Sequence, residues 1–280
     1  FLDLNLLDPI WDNSTFSQNQ ARLLQHRTAE LFFARLVALA REHGWVSDAH
    51  FTVDGTLIDA WASLKSFQPK TGEKSPTDGD PGNPSVDFHG QTRRNATHQS
   101  TTDPEAQLLR KAKGKEAKLC FGLHALMENR HGLCVQAQVT SATGVTETAA
   151  ATELLARQLD QAERPPQTVG ADKGYHNAEL VGFCREHGLA PHVAQIKDRK
   201  VAGLDGRTTR TLGYQTSQKL RKRIEEIFGW CKEIGGLRRT RKRGVDRVGL
   251  SALLILSSYN LVRMAKLLGS PPRVPTVATA

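Results

Sequence analysis

The chain has 280 residues, of which 24% are charged and 39% hydrophobic, a composition typical of a soluble globular protein with its own core. Its net charge of +9 is concentrated between residues 207 and 247, where 13 Lys or Arg face four Asp or Glu. Such a patch favours a polyanionic partner, nucleic acid first and an anionic membrane surface second. Nothing resembles a signal peptide, and the longest apolar run, near residues 250–256, is too short to span a bilayer.

The N-terminal part of the chain predicts helices followed by a strand. Residues 1–45 carry apolar residues at helical spacing, with Ser17 as the expected N-cap and Gly44 as the expected stop. Residues 50–60 are rich in β-branched side chains and predict a strand, broken near Asp54 and the glycine that follows it.

Residues 64–118 form a polar stretch rich in Lys, Gly, Pro, Thr and Asp, with few apolar anchors. This composition predicts an excursion outside the core, partly disordered until something binds it. Its basic and hydrogen-bonding side chains predict contact with DNA phosphates or strand ends, and a solvated linker is the alternative. These side chains are His89, Arg93, Arg94, Asn95, His98, Arg110, Lys111, Lys113, Lys115 and Lys118.

A regular alternation of strands and helices follows the excursion. Strands are predicted at 119–129, 133–142, 167–176 and 190–196, and helices at 146–162, 178–188, 216–234 and 247–269. A turn at 130–132 joins the first two strands. The order implies an α/β layered fold with a mixed sheet. The tail after Gly269 is expected to be loose.

Two aspartates lie at or near predicted strand ends, each closely followed by glycine. Asp54 precedes Gly55, and Asp172 lies two residues before Gly174. Each alone could be an ordinary turn residue. Together with Glu225 in the basic region, they would give three carboxylates from two strands and a helix, which a two-metal phosphoryl-transfer site needs.

The predicted helix at 216–234 leaves the choice between Glu225 and the adjacent Glu226 open. The two glutamates flank opposite sides of its apolar face, so burial does not decide between them. That face consists of Leu220, Ile224, Ile227, Phe228, Cys231 and Ile234. Arg221, Glu225 and Lys232 form one stripe, which could hold phosphate oxygens beside a metal or could be a surface salt bridge.

Several stretches together resemble bacterial DDE transposases of insertion sequences, most closely the family numbered five, with similarity to family four. They are VDGTLIDAWASLKSF (53–67), HGQTRRNATHQSTTDPEA (89–106), LMENRHGL (126–133), GADKGYH (170–176) and RKRIEEIFGWCKEIGGLRRTRKRG (221–244). The resemblance implies a ribonuclease-H-like catalytic core. His176 stands where that family has an acid, and the family's N-terminal helical region looks clipped here.

The resemblance implies roles for individual residues. Asp54 matches the first acid, Asp172 with Tyr175 matches the D-x-G-Y motif, and Arg221, Glu225 and Lys232 match R-x3-E-x6-K. Glu226 cannot fit that register, so the resemblance selects Glu225 as catalytic residue and metal ligand with Asp54 and Asp172. Arg221, Lys232 and Tyr175 would contact phosphate or line the site, and the basic run would contact DNA. That run is Arg238, Arg239, Arg241, Lys242 and Arg243.

The implied cofactor is Mg²⁺, as two ions with Mn²⁺ as a substitute. The implied partners are double-stranded DNA, at transposon ends and target, and a second copy of the chain in the DNA complex, with no membrane. The implied location is the bacterial cytoplasm, at the nucleoid when DNA is bound. The expected domains are a helical remnant at 1–47, a catalytic domain at 48–268 with an insertion at 64–118, and a tail at 269–280.

The remaining features leave two alternatives to a transposase. A catalytically silent DNA-binding relative would not need the three acids, and a metal-dependent nuclease would cleave DNA without strand transfer. GxSxG, P-loop and GxGxxG signatures are absent, and the four cysteines lack CxxC spacing, as expected for cytosolic thiols. His124, His187 and His192 are expected to be structural, and Trp230 a packed aromatic.

Overall fold

The computed structural model describes residues 12–70, 87–88, 91–110, 116–142, 146–162 and 164–269. The helices are α1 (Asn13–Gln25), α2 (Thr28–Glu42), α3 (Thr146–Gln161), α4 (Ala178–Glu186), α5 (Gly206–Thr209), α6 (Leu212–Leu220), α7 (Ile224–Glu233) and α8 (Val245–Leu268). The strands are β1 (His50–Asp59), β2 (Phe67–Pro69), β3 (Asp87–Phe88), β4 (Gln91–Thr92), β5 (His98–Ser100), β6 (Gln107–Arg110), β7 (Ala117–Glu128), β8 (Leu133–Ser141), β9 (Thr168–Ala171) and β10 (Ala190–Val193). Segments of 3₁₀ helix lie at Leu64–Ser66, Lys173–Tyr175 and Arg221–Arg223.

The main sheet is mixed, with β1 at its centre. β1 pairs with β7 in antiparallel orientation and with β9 in parallel orientation. β8 continues the antiparallel side next to β7, and β10 continues the parallel side next to β9. The order β8–β7–β1–β9–β10, with these directions, is that of the ribonuclease-H-like fold. The predicted fold, a mixed α/β sheet flanked by helices, is confirmed.

The prediction that the first strand breaks near Asp54 and Gly55 is wrong. β1 is continuous, with Asp54 opposite Ala125 and Gly55 opposite His124 in the ladder with β7. An aspartate followed by glycine also occurs in turns, but here nine consecutive ladder partners on β7 hold both residues in the extended conformation. Asp54 therefore lies in the middle of a strand and not at its end.

Part of the predicted excursion is folded onto the core. Phe67 is buried, β2 pairs with β5, and β6 joins the main sheet next to β7. Asp103 and Glu105 accept hydrogen bonds from the backbone N–H groups of Gly244 (3.2 Å) and Val245 (2.5 Å) at the start of α8. The expectation of a stretch outside the core is thus wrong for these residues. Positions 71–86, 89–90 and 111–115, including Lys111, Lys113 and Lys115, lie outside the described residues.

The N-terminal helices pack on the same core as the sheet. α1 begins after Asp12, whose side chain accepts a hydrogen bond from Thr15 N, so the expectation that Ser17 is the N-cap is wrong. Gly44 ends the second helix with a positive φ of 70°, as predicted. Phe33 and Val37 of α2 are buried in the core, and α2 packs against α8.

Helix α8 is long and apolar enough, by length and composition, to cross a membrane, in contrast to the expectation from its shorter apolar run. In this fold it is a core helix, with Val248, Leu256 and Tyr259 buried. Its buried Asn260 donates a hydrogen bond to Cys134 O (2.8 Å) and accepts one from Cys134 N (2.9 Å). These bonds tie the helix to β8.

The single helix predicted at 216–234 is divided. A 3₁₀ segment, Arg221–Arg223, separates α6 from α7 while the chain continues in the same direction. On the predicted apolar face, Ile224, Ile227, Phe228 and Cys231 are buried, whereas Leu220 and Ile234 are exposed. The apolar face is thus shorter than predicted and runs from Ile224 to Cys231.

Candidate active site

The two predicted aspartates meet in one pocket. Asp54 projects from β1, and Asp172 directly follows β9, the parallel neighbour of β1. Asp54 Oδ1 accepts a hydrogen bond from Gly55 N (2.8 Å), and Asp172 Oδ1 accepts one from Gly174 N (2.7 Å). Both carboxylates line the pocket and are held by their own backbone.

The pocket disfavours negative charge in the absence of a cation. Burial, with the nearby carboxylates of Asp172 and Glu147, raises the pKa of Asp54 to about 7. The Gly55 hydrogen bond and the Arg221 guanidinium act in the opposite direction but do not offset the burial. A divalent cation would reverse this balance because it stabilises the ionised carboxylate.

Glu147, in the first turn of α3, is a pocket residue that sequence reasoning missed. Its side chain reaches solvent at the mouth of the pocket, yet partial burial, and then the charge of Asp172, raise its pKa. Acidic residues are common in the first turn of a helix because they interact favourably with its N-terminus. No local feature of the sequence therefore marks Glu147 as a pocket residue.

Tyr175 and His124 place polar atoms beside the carboxylates. Both side chains are 2% exposed, and neither Tyr175 Oη nor His124 Nδ1 has a hydrogen-bond partner among the described residues. His124 Nε2 lies 2.9 Å from Thr140 Oγ1. Gly55 leaves room for both rings, because a Cβ there would lie 3.0 Å from His124 Nδ1 and 3.6 Å from Tyr175 Oη. Tyr175 thus lines the same pocket as Asp54 and Asp172.

The helix containing the predicted R-x3-E-x6-K residues approaches the same strand. Lys232 Nζ donates a hydrogen bond to Thr56 Oγ1 (2.6 Å), two residues beyond Asp54 on β1. Arg221 donates to Gln218 Oε1 (3.0 Å), and no ion pair among the described residues joins it to Glu225. Glu225 and Glu226 are both exposed, and the described residues that line the pocket do not include Glu225.

The predicted site residues therefore fall into two groups of different construction. We call Asp54, Asp172 and Tyr175, which line the pocket, the strand wall. We call Arg221, Glu225 and Lys232, which lie on the neighbouring helical segments outside the pocket lining, the helix wall. Leu109 and Arg110 of β6 also line the pocket, so the predicted excursion contributes to its edge.

The basic run after α7 is divided between contacts with the protein and exposed cations. Arg238 pairs with Glu233, and Lys242 Nζ donates to Gln20 Oε1 (3.2 Å). Arg239 lies 5.5 Å from the centre of the Trp61 ring and donates hydrogen bonds to the carbonyl of Trp61 (3.1 Å) and that of the preceding residue.

Arg241 and Arg243 of the run are exposed. The other expected structural residues are packed. His192 is buried, His187 stacks on Phe183, and Trp230 makes an edge contact with Tyr259 at 5.8 Å. The four cysteines are buried free thiols.

The donor set fits a hard divalent cation in its chemistry. Carboxylates and a tyrosine hydroxyl supply oxygen ligands, and the unpartnered Tyr175 Oη faces them. In the part of the chain that the structure describes, no three His, Cys, Asp or Glu side chains are yet close enough to hold one ion. Side-chain rotation would therefore have to accompany binding.

The strand order and directions of the sheet, with Asp54 on β1 and Asp172 directly after the parallel strand β9, define a ribonuclease-H-like protein with an acidic pocket. Within that class, the chain belongs to the transposase DDE domain family, whose model matches residues 88–261. Members of this family catalyse DNA cleavage and strand transfer and typically use a divalent metal. No curated protein sequence matches the chain.

Comparison with solved structures finds low-scoring similarity to chains of an intasome and of two transposase complexes. A chain of a simian T-cell lymphotropic virus intasome, in complex with a PP2A regulatory subunit, is 11% identical over 84% of this chain, with a TM-score of 0.38. A chain of a piggyBac transposase synaptic complex with hairpin DNA is 9% identical over 82% of this chain, with a TM-score of 0.36. A chain of a Mos1 transposase paired-end complex with the left transposon end is 9% identical over 95% of this chain, with a TM-score of 0.26. The present chain spans 59%, 55% and 66% of those chains, less than two thirds of each.

Proposed function

We propose that this chain is the catalytic part of a DDE transposase that cleaves DNA at transposon ends and joins the freed 3′ ends to target DNA. In the joining step the 3′-hydroxyl attacks a phosphate of the target. The observation that carries the proposal is one pocket containing Asp54 and Asp172, with Arg221 and Lys232 against the same strand. Acids from two strands facing cations from a helix suit phosphoryl transfer, in which catalysis consists largely of positioning and charge stabilisation.

In this proposal Asp54, Asp172 and Glu225 hold two Mg²⁺ ions, for which Mn²⁺ can substitute. When bound, such ions activate the attacking oxygen and stabilise the leaving oxygen. Glu225 is assigned because it lies on the stripe between Arg221 and Lys232, both of which interact with β1 residues. Its exposed carboxylate can turn towards the pocket without breaking an ion pair among the described residues.

The cations on the helix have a different task. Arg221 and Lys232 would hold phosphate oxygens next to the carboxylates. Without DNA, hydrogen bonds to Gln218 and Thr56 position these two cationic side chains. Tyr175 would limit the inner end of the pocket. The basic run would contact phosphates of the DNA backbone through its exposed members, independently of base sequence.

The substrate and assembly follow from the same proposal. Double-stranded DNA is the partner, at the transposon ends and the target, and two copies of the chain would act together on paired ends. A cytoplasmic, nucleoid-associated location and no membrane partner suit a DNA-acting enzyme. Membership of insertion-sequence family five, with the domain division at residue 47, remains a prediction.

A cleavage and joining assay tests the proposal. The protein and its Asp172→Asn variant are incubated with DNA that carries the ends of the encoding element, with Mg²⁺ or Mn²⁺ and a target plasmid. The expected result is cleaved ends and joined products with the wild type only. Binding without cleavage by either protein would indicate a silent DNA-binding relative, and cleavage without joining would indicate a nuclease.

A further inference from the structure

We propose that Glu147 is an additional acidic ligand of the pocket and binds a divalent cation together with Asp54 and Asp172 in the DNA-free protein. This inference rests on the proposed metal-dependent function. It concerns a residue outside the triad of Asp54, Asp172 and Glu225, and it assigns to α3 a part in the site.

The first observation is the position of the Glu147 carboxylate. It lines the pocket with Asp54 and Asp172. Glu147 Oε2 and Asp172 Oδ1 lie 3.9 Å and 3.0 Å from the position that a Cβ on Gly174 would take. The absence of a side chain at Gly174 therefore leaves open the space between the two acids. Binding would require these side chains to rotate until their oxygens meet one ion, at the ~2.1 Å that Mg²⁺ requires.

The second observation is the lack of a protein partner for this charge. The side chain of Glu147 reaches solvent and makes no hydrogen bond or ion pair with the described residues. On the same helix Glu153 forms an ion pair with Arg157 at 2.7 Å. A carboxylate held near two others, without a cation of its own, is unfavourable unless a cation joins them.

The third observation is independent of the acids. Tyr175 Oη and His124 Nδ1 are buried, line the pocket and have no hydrogen-bond partner among the described residues. Buried polar atoms of this kind are rare because each carries a desolvation cost. A hydrated cation between the three carboxylates would supply water molecules to both atoms.

The test measures Mn²⁺ binding to the DNA-free full chain by calorimetry and electron paramagnetic resonance. We expect Glu147→Gln to weaken Mn²⁺ binding at least about tenfold, since even loss of an outer-shell partner costs a metal site that much. Glu153→Gln, on the same helix, should bind Mn²⁺ like the wild type, and Asp54→Asn should lose binding. Thermal unfolding in EDTA establishes that each variant is folded.

Equal Mn²⁺ affinity of Glu147→Gln and Glu153→Gln, with binding lost in Asp54→Asn, would overturn the role of Glu147. Absence of Mn²⁺ binding by the wild type would overturn it as well. The proposed function is judged separately by the cleavage and joining assay. If the wild type joins DNA and Glu147→Gln keeps full Mn²⁺ affinity, the proposed function stands and the role of Glu147 is wrong. If Mn²⁺ binding depends on Glu147 but the wild type neither cleaves nor joins DNA, the role of Glu147 stands and the proposed function is wrong.

Discussion

The strand wall, which lines the pocket, and the helix wall beside it carry groups of opposite charge, but they hold these groups in different ways. On the strand wall, Asp54 and Asp172 accept hydrogen bonds from neighbouring backbone N–H groups, and Tyr175 is buried. On the helix wall, Glu225 is exposed, and Arg221 and Lys232 are long side chains that donate hydrogen bonds to the side chains of Gln218 and Thr56. One wall is fixed by the sheet, and the other depends on flexible side chains.

This difference indicates that the two walls bind their ligands at different stages. The short side chains of Asp54 and Asp172 accept hydrogen bonds from backbone N–H groups and need only rotate to meet an ion, so they suit an ion that is bound before DNA. Long side chains at a partly exposed helix surface lose side-chain entropy on ordering, at a cost of up to about 2 kcal/mol each. They are therefore expected to be ordered by phosphate and metal together.

The largest expected effect is on the strand wall. Asp172→Asn should lower DNA cleavage by on the order of 10³-fold or more, because a lost metal ligand removes several kcal/mol of transition-state stabilisation. Single-turnover cleavage with Mg²⁺ measures this effect. Asp160→Asn, an exposed position on α3, is the control and should cleave like the wild type. Equal activity of the two variants would remove the strand wall from catalysis.

The second expected effect concerns stability in EDTA. The pKa of Asp54 rises from an ordinary 3.8 to about 7 on folding, so the folded state binds a proton that the unfolded state releases. The free energy of unfolding should therefore fall between pH 4 and 7, by on the order of 4 kcal/mol at most. Burial lowers the pKa of His50 and His124 to about 4, and these groups act in the opposite direction over the same range.

The contribution of Asp54 is isolated by comparison with Asp54→Asn, which keeps both histidines. Urea unfolding at several pH values should show the stability advantage of Asp54→Asn growing as pH rises from 4 to 7, and levelling off above. A constant difference would mean that Asp54 is not held in an environment that disfavours its charge.

A third effect separates the two walls directly. Glu225→Gln should lower cleavage by about 100-fold, since it loses a metal ligand in the DNA complex, while Mn²⁺ affinity without DNA changes less than about twofold. Cleavage kinetics and calorimetry measure the two quantities, with Glu226→Gln as the neighbouring control. Loss of Mn²⁺ affinity in Glu225→Gln without DNA would show that the helix wall is as preformed as the strand wall.

The smallest effect lies in the basic run beyond the helix wall. Arg239→Ala should lower the free energy of unfolding by about 1 kcal/mol, because it removes the contact with the Trp61 ring and backbone hydrogen bonds. Arg241→Ala should leave the free energy of unfolding unchanged. It should lower the slope of log binding constant against log salt concentration by about 1, because one phosphate contact is lost. Thermal unfolding and binding at several salt concentrations measure these changes, and a reversed pattern would contradict the assignment.

The sequence predicted those parts of the site whose cause is local. The hairpin of β7 and β8, the helices α3 and α4, and Asp172 at the end of β9 follow from periodicity and glycine positions. The resemblance selected Arg221 and Lys232, which do approach β1. The prediction that the strand breaks near Asp54 was wrong, because ladder partners on β7, far away in the chain, determine the extent of β1.

Glu147 and His124 were missed as pocket residues for a related reason. A first-turn glutamate and a histidine within a strand have many ordinary explanations, and only the sheet brings them next to Asp54. Likewise, the attachment of β6 to β7 depends on long-range pairing, so a polar composition predicted an excursion where part of the chain is sheet. Tertiary pairing is what one-dimensional patterns do not contain.

The 3₁₀ segment Arg221–Arg223 has a consequence for how the helix wall is aligned. A 3₁₀ helix advances about 120° and 2.0 Å per residue, and an α-helix about 100° and 1.5 Å. Arg221 begins this segment and Glu225 follows it, so the angle between the two side chains depends on the winding of three residues as well as on their spacing. Rewinding those residues as α-helix would turn one side chain relative to the other by about 60° and shorten the rod by about 1.5 Å. The winding of this segment therefore sets the angle between the Arg221 and Glu225 side chains, and a change from 3₁₀ to α-helix there would alter both this angle and the length of the rod.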